Sequence, residues 1–241
     1  GSESTAWATA DNWSLGTVPS TTTAYNAPYI TNQTNDPVIS TDITIDNLLI
    51  ENAGVLTIQK TGSLKLTEHL IQNGTLTMES DSDQYSSLIV QGNSYGEDVH
   101  ESDGTVSSTH SGNITYERYV ADEGSDPDEW DLIGSPVAGQ GISAFVSANS
   151  SIADEGTQYG IGVFSNDGSV DTAAAMYTNY TTANVVAAGN FTAGQGYAMA
   201  TDEADTPGTT LDFTGTIITT DLTGVSIDDN SSNATNFGKW N

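Results

Sequence analysis

The sequence predicts an all-β fold: a short parallel β-helix, or solenoid, followed by an antiparallel β-sandwich. Three observations predict it. Apolar residues recur two apart along residues 43–90, in the pairs Ile43/Ile45, Leu48/Ile50, Leu56/Ile58, Leu64/Leu66, Leu76/Met78 and Leu88/Val90. Residues two apart share one face of a strand. Three of the pairs follow a glycine in one pattern: Gly54-Val-Leu-Thr-Ile, Gly62-Ser-Leu-Lys-Leu and Gly74-Thr-Leu-Thr-Met. After residue 113, short apolar runs alternate with Gly- and Asp-rich turns, which is the pattern of a sandwich.

The spacing carries the solenoid. Leu48 to Leu70 is 22 residues, Leu56 to Leu76 is 20 and Leu64 to Leu88 is 24. A rung of roughly 20–24 residues with three strands per turn fits all three, and no such rung buries its apolar face alone. Residues 43–92 then supply about two turns. Hairpin pairing of the same strands is the competing arrangement, and the turn dipeptide Asn73-Gly74 supports it locally. The regular spacing favours the solenoid.

Residues 1–42 read as an irregular amino-terminal cap, rich in Thr, Asn and Pro. Trp7 and Trp13 cover the first strand layer in this reading, because an end rung exposes core. The alternative use of the two rings is stacking on a sugar. Residues 93–113 read as a polar linker or exposed loop. There His100 and His110 lie near Glu97, Asp98, Glu101 and Asp103, but no strand or helix face orders them into a ligand set.

Residues 114–241 form the predicted sandwich. Strands are expected at 114–120 and at 130–137, the second ended by Pro136. A short helix is expected from Ile142 to Ala148. Further strands are expected around 159–164, 174–180, 195–200, 209–218 and 222–227.

Composition bounds the function. Only 36% of the 241 residues are apolar, yet their spread along the chain indicates a folded protein. Four basic residues face 32 acidic ones, for a net charge of −28. Nucleic acid and anionic membrane surfaces repel such a chain. Divalent cations, basic proteins and neutral glycans suit it. Cysteine is absent, so there is neither a disulfide framework nor a thiolate metal site. No apolar run approaches the ~18 residues of a membrane span.

Calcium is the natural metal, since hard cations take carboxylate and carbonyl oxygens. The densest cluster supplies Asp122, Asp126, Asp128 and Glu129 as candidate ligands. Asp81/Asp83, Asp202/Glu203/Asp205 and Asp228/Asp229 are lesser clusters, and none completes an EF-hand. Acidic turns are also the ordinary surface of so acidic a chain.

Catalysis finds little support. A lyase for acidic polysaccharides needs cations, and the chain offers Arg118, Lys60, Lys65 and Lys239. No carboxylate pair stands out for glycoside hydrolysis. His69, His100 and His110 have no nucleophile motif beside them. The sequence is therefore read as non-catalytic. Arg118, the only arginine, is expected to pair with carboxylates as a structural anchor.

Several segments in order resemble a recurrent module of large secreted surface proteins from bacteria that use the type IX secretion route. They are Asn12-Trp13 with Gly16-Thr-Val-Pro19; the glycine ladder ending in Leu88-Ile-Val90; Ile114-Thr-Tyr-Glu-Arg-Tyr119; Trp130-Asp-Leu-Ile-Gly-Ser-Pro-Val137; Gly189-Asn-Phe-Thr-Ala-Gly-Gln-Gly-Tyr197; and Phe213-Thr-Gly215. The resemblance covers nearly the whole chain, and the strong acidity departs from it. It implies a secreted, extracellular or cell-surface location, ahead of a carboxy-terminal sorting domain. It also implies an adhesive or filament-forming role, with other copies or other surface proteins as partners. No catalytic residues come with it.

In such proteins the pattern Trp-x-Leu-x-Gly-x-Pro tends to occur twice, and Phe237-Gly-Lys-Trp240 looks like a second start. The sandwich is therefore expected to be truncated at its carboxy end; a strand from a neighbouring subunit is the alternative. The sequence points first to a structural or adhesive module. The alternative is a carbohydrate-binding module of a polysaccharide-degrading system, with Trp7, Trp13 and Trp130 as the glycan-binding rings. An enzyme comes third.

Overall fold

The computed structural model describes residues 3–21, 28–91, 110–124, 130–164, 177–218 and 222–225. They form an all-β protein with one short α-helix. The chain divides into two compact units, residues 1–118 with 213–219, and residues 119–212 with 220–241.

The strands of the first unit are short. They are β1 (Tyr29–Ile30), β2 (Val38–Ile39), β3 (Asp42–Ile45), β4 (Leu48–Ile50), β5 (Val55–Ile58), β6 (Ser63–Leu66), β7 (Leu70–Gln72), β8 (Thr75–Met78), β9 (Ser87–Val90) and β10 (Asn113–Ala121), the last running on into the second unit. They sort into three stacks: β1-β4-β7, β2-β5-β8-β10 and β3-β6-β9. Each pairing recorded within a stack is parallel. From β1 to β9 the chain visits the stacks in rotation, and β10 then returns to the stack of β8, so consecutive strands do not pair. The pairs spaced by sequence are the pairs observed: Leu48 opposite Leu70, Leu56 opposite Leu76 and Leu64 opposite Leu88.

Glycine makes the rotation possible. A Cβ at Gly54 would overlap the Ile30 carbonyl oxygen, and one at Gly74 would overlap that of Gly54. Only a residue without a side chain lets one layer sit so close on the next. Inside the stacks the alternating residues are buried, Leu56, Ile58, Leu64, Leu66, Leu76 and Met78 among them. Leu49 and Ile71 are buried too, on the opposite face of β4 and β7. Gln72 is the polar exception. Its Nε2 donates to the carbonyls of Gly74 at 2.7 Å and Asn113 at 3.0 Å.

Several expectations change. Residues 1–42, read as irregular, already contain β1 and β2, so the rotation is made three times and not about twice. Asn73-Gly74 closes no hairpin, because β7 and β8 lie in different stacks. The strand expected at 114–120 as part of a sandwich pairs in parallel with β8, from Asn113 opposite Thr75 to Tyr116 opposite Met78. Much of the predicted linker lies outside the described residues, but His110–Asn113 is ordered on the layer below. Gly112 N–H donates to Gln72 O at 3.1 Å and Asn113 N–H to Gly74 O at 3.0 Å.

The second unit centres on an antiparallel sheet. Its strands are β11 (Asp131–Gly134), β12 (Gln158–Phe164), β13 (Tyr177–Thr181) and β14 (Gly196–Met199), in the order β11-β14-β12-β13. The last strand, β15 (Gly208–Gly215), follows β10 in the order β15-β10-β8-β5-β2. A second antiparallel sheet, which a sandwich needs, is not among the described residues. Residues 222–225, expected as a strand, carry none. Helix α1 (Ile142–Ala148) falls where the sequence puts it, burying Ile142 and Phe145.

Aromatic rings fill this core. Phe145 meets Phe191 edge-on at 5.1 Å, and Phe191 meets Tyr197 at 5.0 Å. Such edge-to-face contacts add to what area burial alone provides. Asn149 caps the helix and anchors β15. Its Nδ2 donates to Phe145 O at 2.9 Å and Asp212 O at 3.1 Å, while its Oδ1 accepts from Asp212 N–H at 2.7 Å.

Candidate functional site

Three segments of the second unit meet at an acidic corner. Thr201 N–H donates to Ala121 O at 2.9 Å, and Glu123 N–H donates to Thr201 O at 2.7 Å. Ala153 N–H donates to Ala200 O at 3.1 Å, and Asp202 N–H to Ser151 O at 2.9 Å. Thr201 is fully buried between the segments. This stitching gathers Asp122, Glu123, Glu155, Asp202 and Glu203.

The electrostatics follow. Burial holds the Glu123 carboxyl above its ordinary range. The carboxylates of Glu155, Asp202, Glu203 and Asp122 push it the same way. Asp122 has structural work. It is buried and accepts a hydrogen bond from Thr206 Oγ1, which also lies 2.6 Å from Glu203 O. Asp202 Oδ1 accepts from Ala204 N–H at 2.8 Å and caps the short turn Glu203–Asp205. The corner attracts protons and cations and repels anions.

Of the proposed metal ligands, Asp122 sits in this corner, while Asp126, Asp128 and Glu129 lie outside the described residues. Among the described residues, no three carboxylate or imidazole groups are arranged to hold a metal. Glu155 and Glu203 join Asp122 from about 30 and 80 residues away in sequence. No local pattern announces such a meeting, since β pairing sets it.

The tryptophans separate. Trp7 is 2% exposed and takes Trp13 against its ring at 4.6 Å, with the planes at 64°. Trp13 Nε1 donates to Trp7 O at 2.9 Å. Backbone bonds from Trp7 N–H to Val38 O, 3.0 Å, and from Val38 N–H to Thr5 O, 2.7 Å, fix the segment against β2. A ring so buried presents no face to a sugar. Trp13 and Trp130 are half-buried.

The remaining candidates are accounted for individually. Arg118 lies over the Tyr85 ring, 5.6 Å from its centre, so its described partner is aromatic and not a carboxylate. Lys60 pairs with Asp81. His110 Nδ1 accepts from Gln72 N–H at 3.3 Å, and His100 lies outside the described residues. Among the described residues, no helix is long and apolar enough to cross a membrane.

Fold and site together define an acidic all-β protein, with stacks of parallel strands in one unit and an antiparallel sheet in the other. The chain belongs to the family described as "Domain of unknown function (DUF8693)", whose sequence profile matches residues 1–240. No curated protein and no solved structure gives a significant match.

Proposed function

We propose that this chain is a non-catalytic structural or adhesive module of a secreted bacterial surface or filament protein. In this reading the three stacks make a short β-helix that acts as a stiff spacer, and the antiparallel sheet of the second unit is one layer of the sandwich. The supporting observation is the parallel register of the stacks, three layers deep and tied at one corner by the column Gly54-Gly74-Gly112. Polar side chains that could do chemistry have structural partners: Gln72 and His110 join layers of the stacks, while in the second unit Asn149 bonds to the backbone of Phe145 and Asp212, and Asp122 accepts from the Thr206 hydroxyl. Partners in this reading are other copies or other surface proteins.

The second reading, a carbohydrate-binding module, keeps support from the half-buried rings of Trp13 and Trp130. Calcium would act in either case by relieving repulsion among carboxylates. A glycan array and a polysaccharide panel, each with calcium and with EDTA, separate the readings. The structural module predicts no retained glycan and no released product. Glycan binding lost in Trp13→Ala or Trp130→Ala would replace it with the second reading. Release of sugar would overturn both.

A further inference from the structure

The stack β3-β6-β9 ends abruptly. Its middle strand buries Leu64 and Leu66 to 1% and 0% exposure. On β9 the equivalent residues, Leu88 and Val90, are only half-buried. Ser87 and Gln91 direct their N–H groups at β6, to Gly62 O at 3.4 Å and Leu66 O at 2.9 Å. By the alternation of a strand, Leu88 and Val90 direct theirs the other way. Among the described residues no strand receives them.

Free edges are normally protected by charge, proline or a bulge. The β9 segment Ser-Leu-Ile-Val has no charge and no proline, and its pairing with β6 runs without a break in register. Its outward Ile89 is 50% exposed, and Tyr85, just before it, is 62% exposed.

Charge selects the occupant. The approach to β9 carries Glu79, Asp81 and Asp83, and Glu117 accepts from Ser80 N–H at 3.2 Å. Lys60 and Arg118 offset only part of this, and the whole chain stands at −28. A second copy would bring the same negative charge to the edge. A basic strand would be drawn to it.

We propose that the outer edge of β9 is a docking site for an extended segment of another protein, which adds in parallel as a fourth strand. Its alternate apolar side chains cover Leu88 and Val90, and its lysines or arginines face the acidic approach. The inference is independent of whether the chain is a surface module.

The test uses the whole chain and a synthetic Lys-Val alternating peptide, with a Glu-Val peptide of equal length as control. Titration is read by calorimetry and by amide hydrogen exchange. The expected result is binding of the Lys-Val peptide alone, with new protection at Leu88 and Val90. Val90→Pro removes an N–H that β6 does not use, so it should cut affinity at least tenfold while leaving the circular dichroism spectrum intact. Ile89→Lys, at an exposed position, should weaken binding by charge alone. Equal binding by wild type and both variants would overturn the proposal, because the peptide would then sit elsewhere on the acidic surface. Protection of residues 87–91 by self-association without peptide, or no binding at all, would overturn it too.

Discussion

At the scale of single residues, the first unit depends on atoms that are missing. Gly54, Gly74 and Gly112 form a column in which each would drive a Cβ into the carbonyl oxygen of the layer below. Gly74→Ala should therefore cost about 3 kcal/mol or more, since the obstacle is backbone and cannot swing away. Chemical denaturation of the variant checks it; a midpoint within error of wild type would remove the column from the account. The acidic corner supplies a second prediction. A carboxyl held above its unfolded value favours the folded state while protonated and penalises it once charged. For Glu123 the penalty is absent below the unfolded value near 4.5 and grows as pH rises through the raised folded value. Glu123→Gln should thus raise Tm at pH 7 and bring no gain at pH 4. Melts across that range decide it.

At the scale of elements, side chains repeat what the backbone does. Hydrogen bonds join Asn47 to Glu68, Lys60 to Asp81, Thr61 to Ser40, Ser63 to Asp42 and Thr67 to Asp46, and each spans 21 residues. The paired backbones up to β9 lie 19–24 residues apart, a period that brackets the side-chain spacing. The same period explains what was legible in the sequence. Alternation marked the strands from Ile43 to Val90, and spacing gave their partners. β1 and β2 escaped notice because two residues carry no periodicity. The strand at Ile114 was visible, but its partner was not. Gly112-Asn-Ile-Thr-Tyr has the form of Gly74-Thr-Leu-Thr-Met, and the 38-residue spacing of the glycines hid the match. Asp122, Asp202 and Glu203 were legible as members of separate acidic clusters, but not their meeting with each other and with Glu155, which comes through pairing and not through a local motif. In the second unit, Asn149 ties α1 to β15 through three bonds. Asn149→Ala leaves the Asp212 backbone groups without that partner and should cost about 2–4 kcal/mol by denaturant titration.

At the scale of the whole molecule, charge sets the conditions under which the fold is most stable. A chain with 32 acids and four bases repels itself when compact. Added salt shortens the Debye length from about 30 Å at 0.01 M to about 3 Å at 1 M. Tm should therefore climb with sodium chloride, and a flat or falling curve would show that self-repulsion is not limiting. Gly112 carries a further consequence, for how the chain tolerates editing. From Gly54 to Gly74 the layers advance by 20 residues, but from Gly74 to Gly112 by 38, and each glycine still lands on the one below. Register is thus re-established at the glycine and is not inherited from the length of the preceding turn. That corner behaves as an insertion port: lengthening or shortening residues 92–109 should leave β10 opposite β8, whereas one residue deleted between Glu51 and Gly54 should misalign every layer above. Replacing 92–109 with a short Gly-Ser link, then comparing amide protection of Asn113–Tyr116, measures how far the port extends.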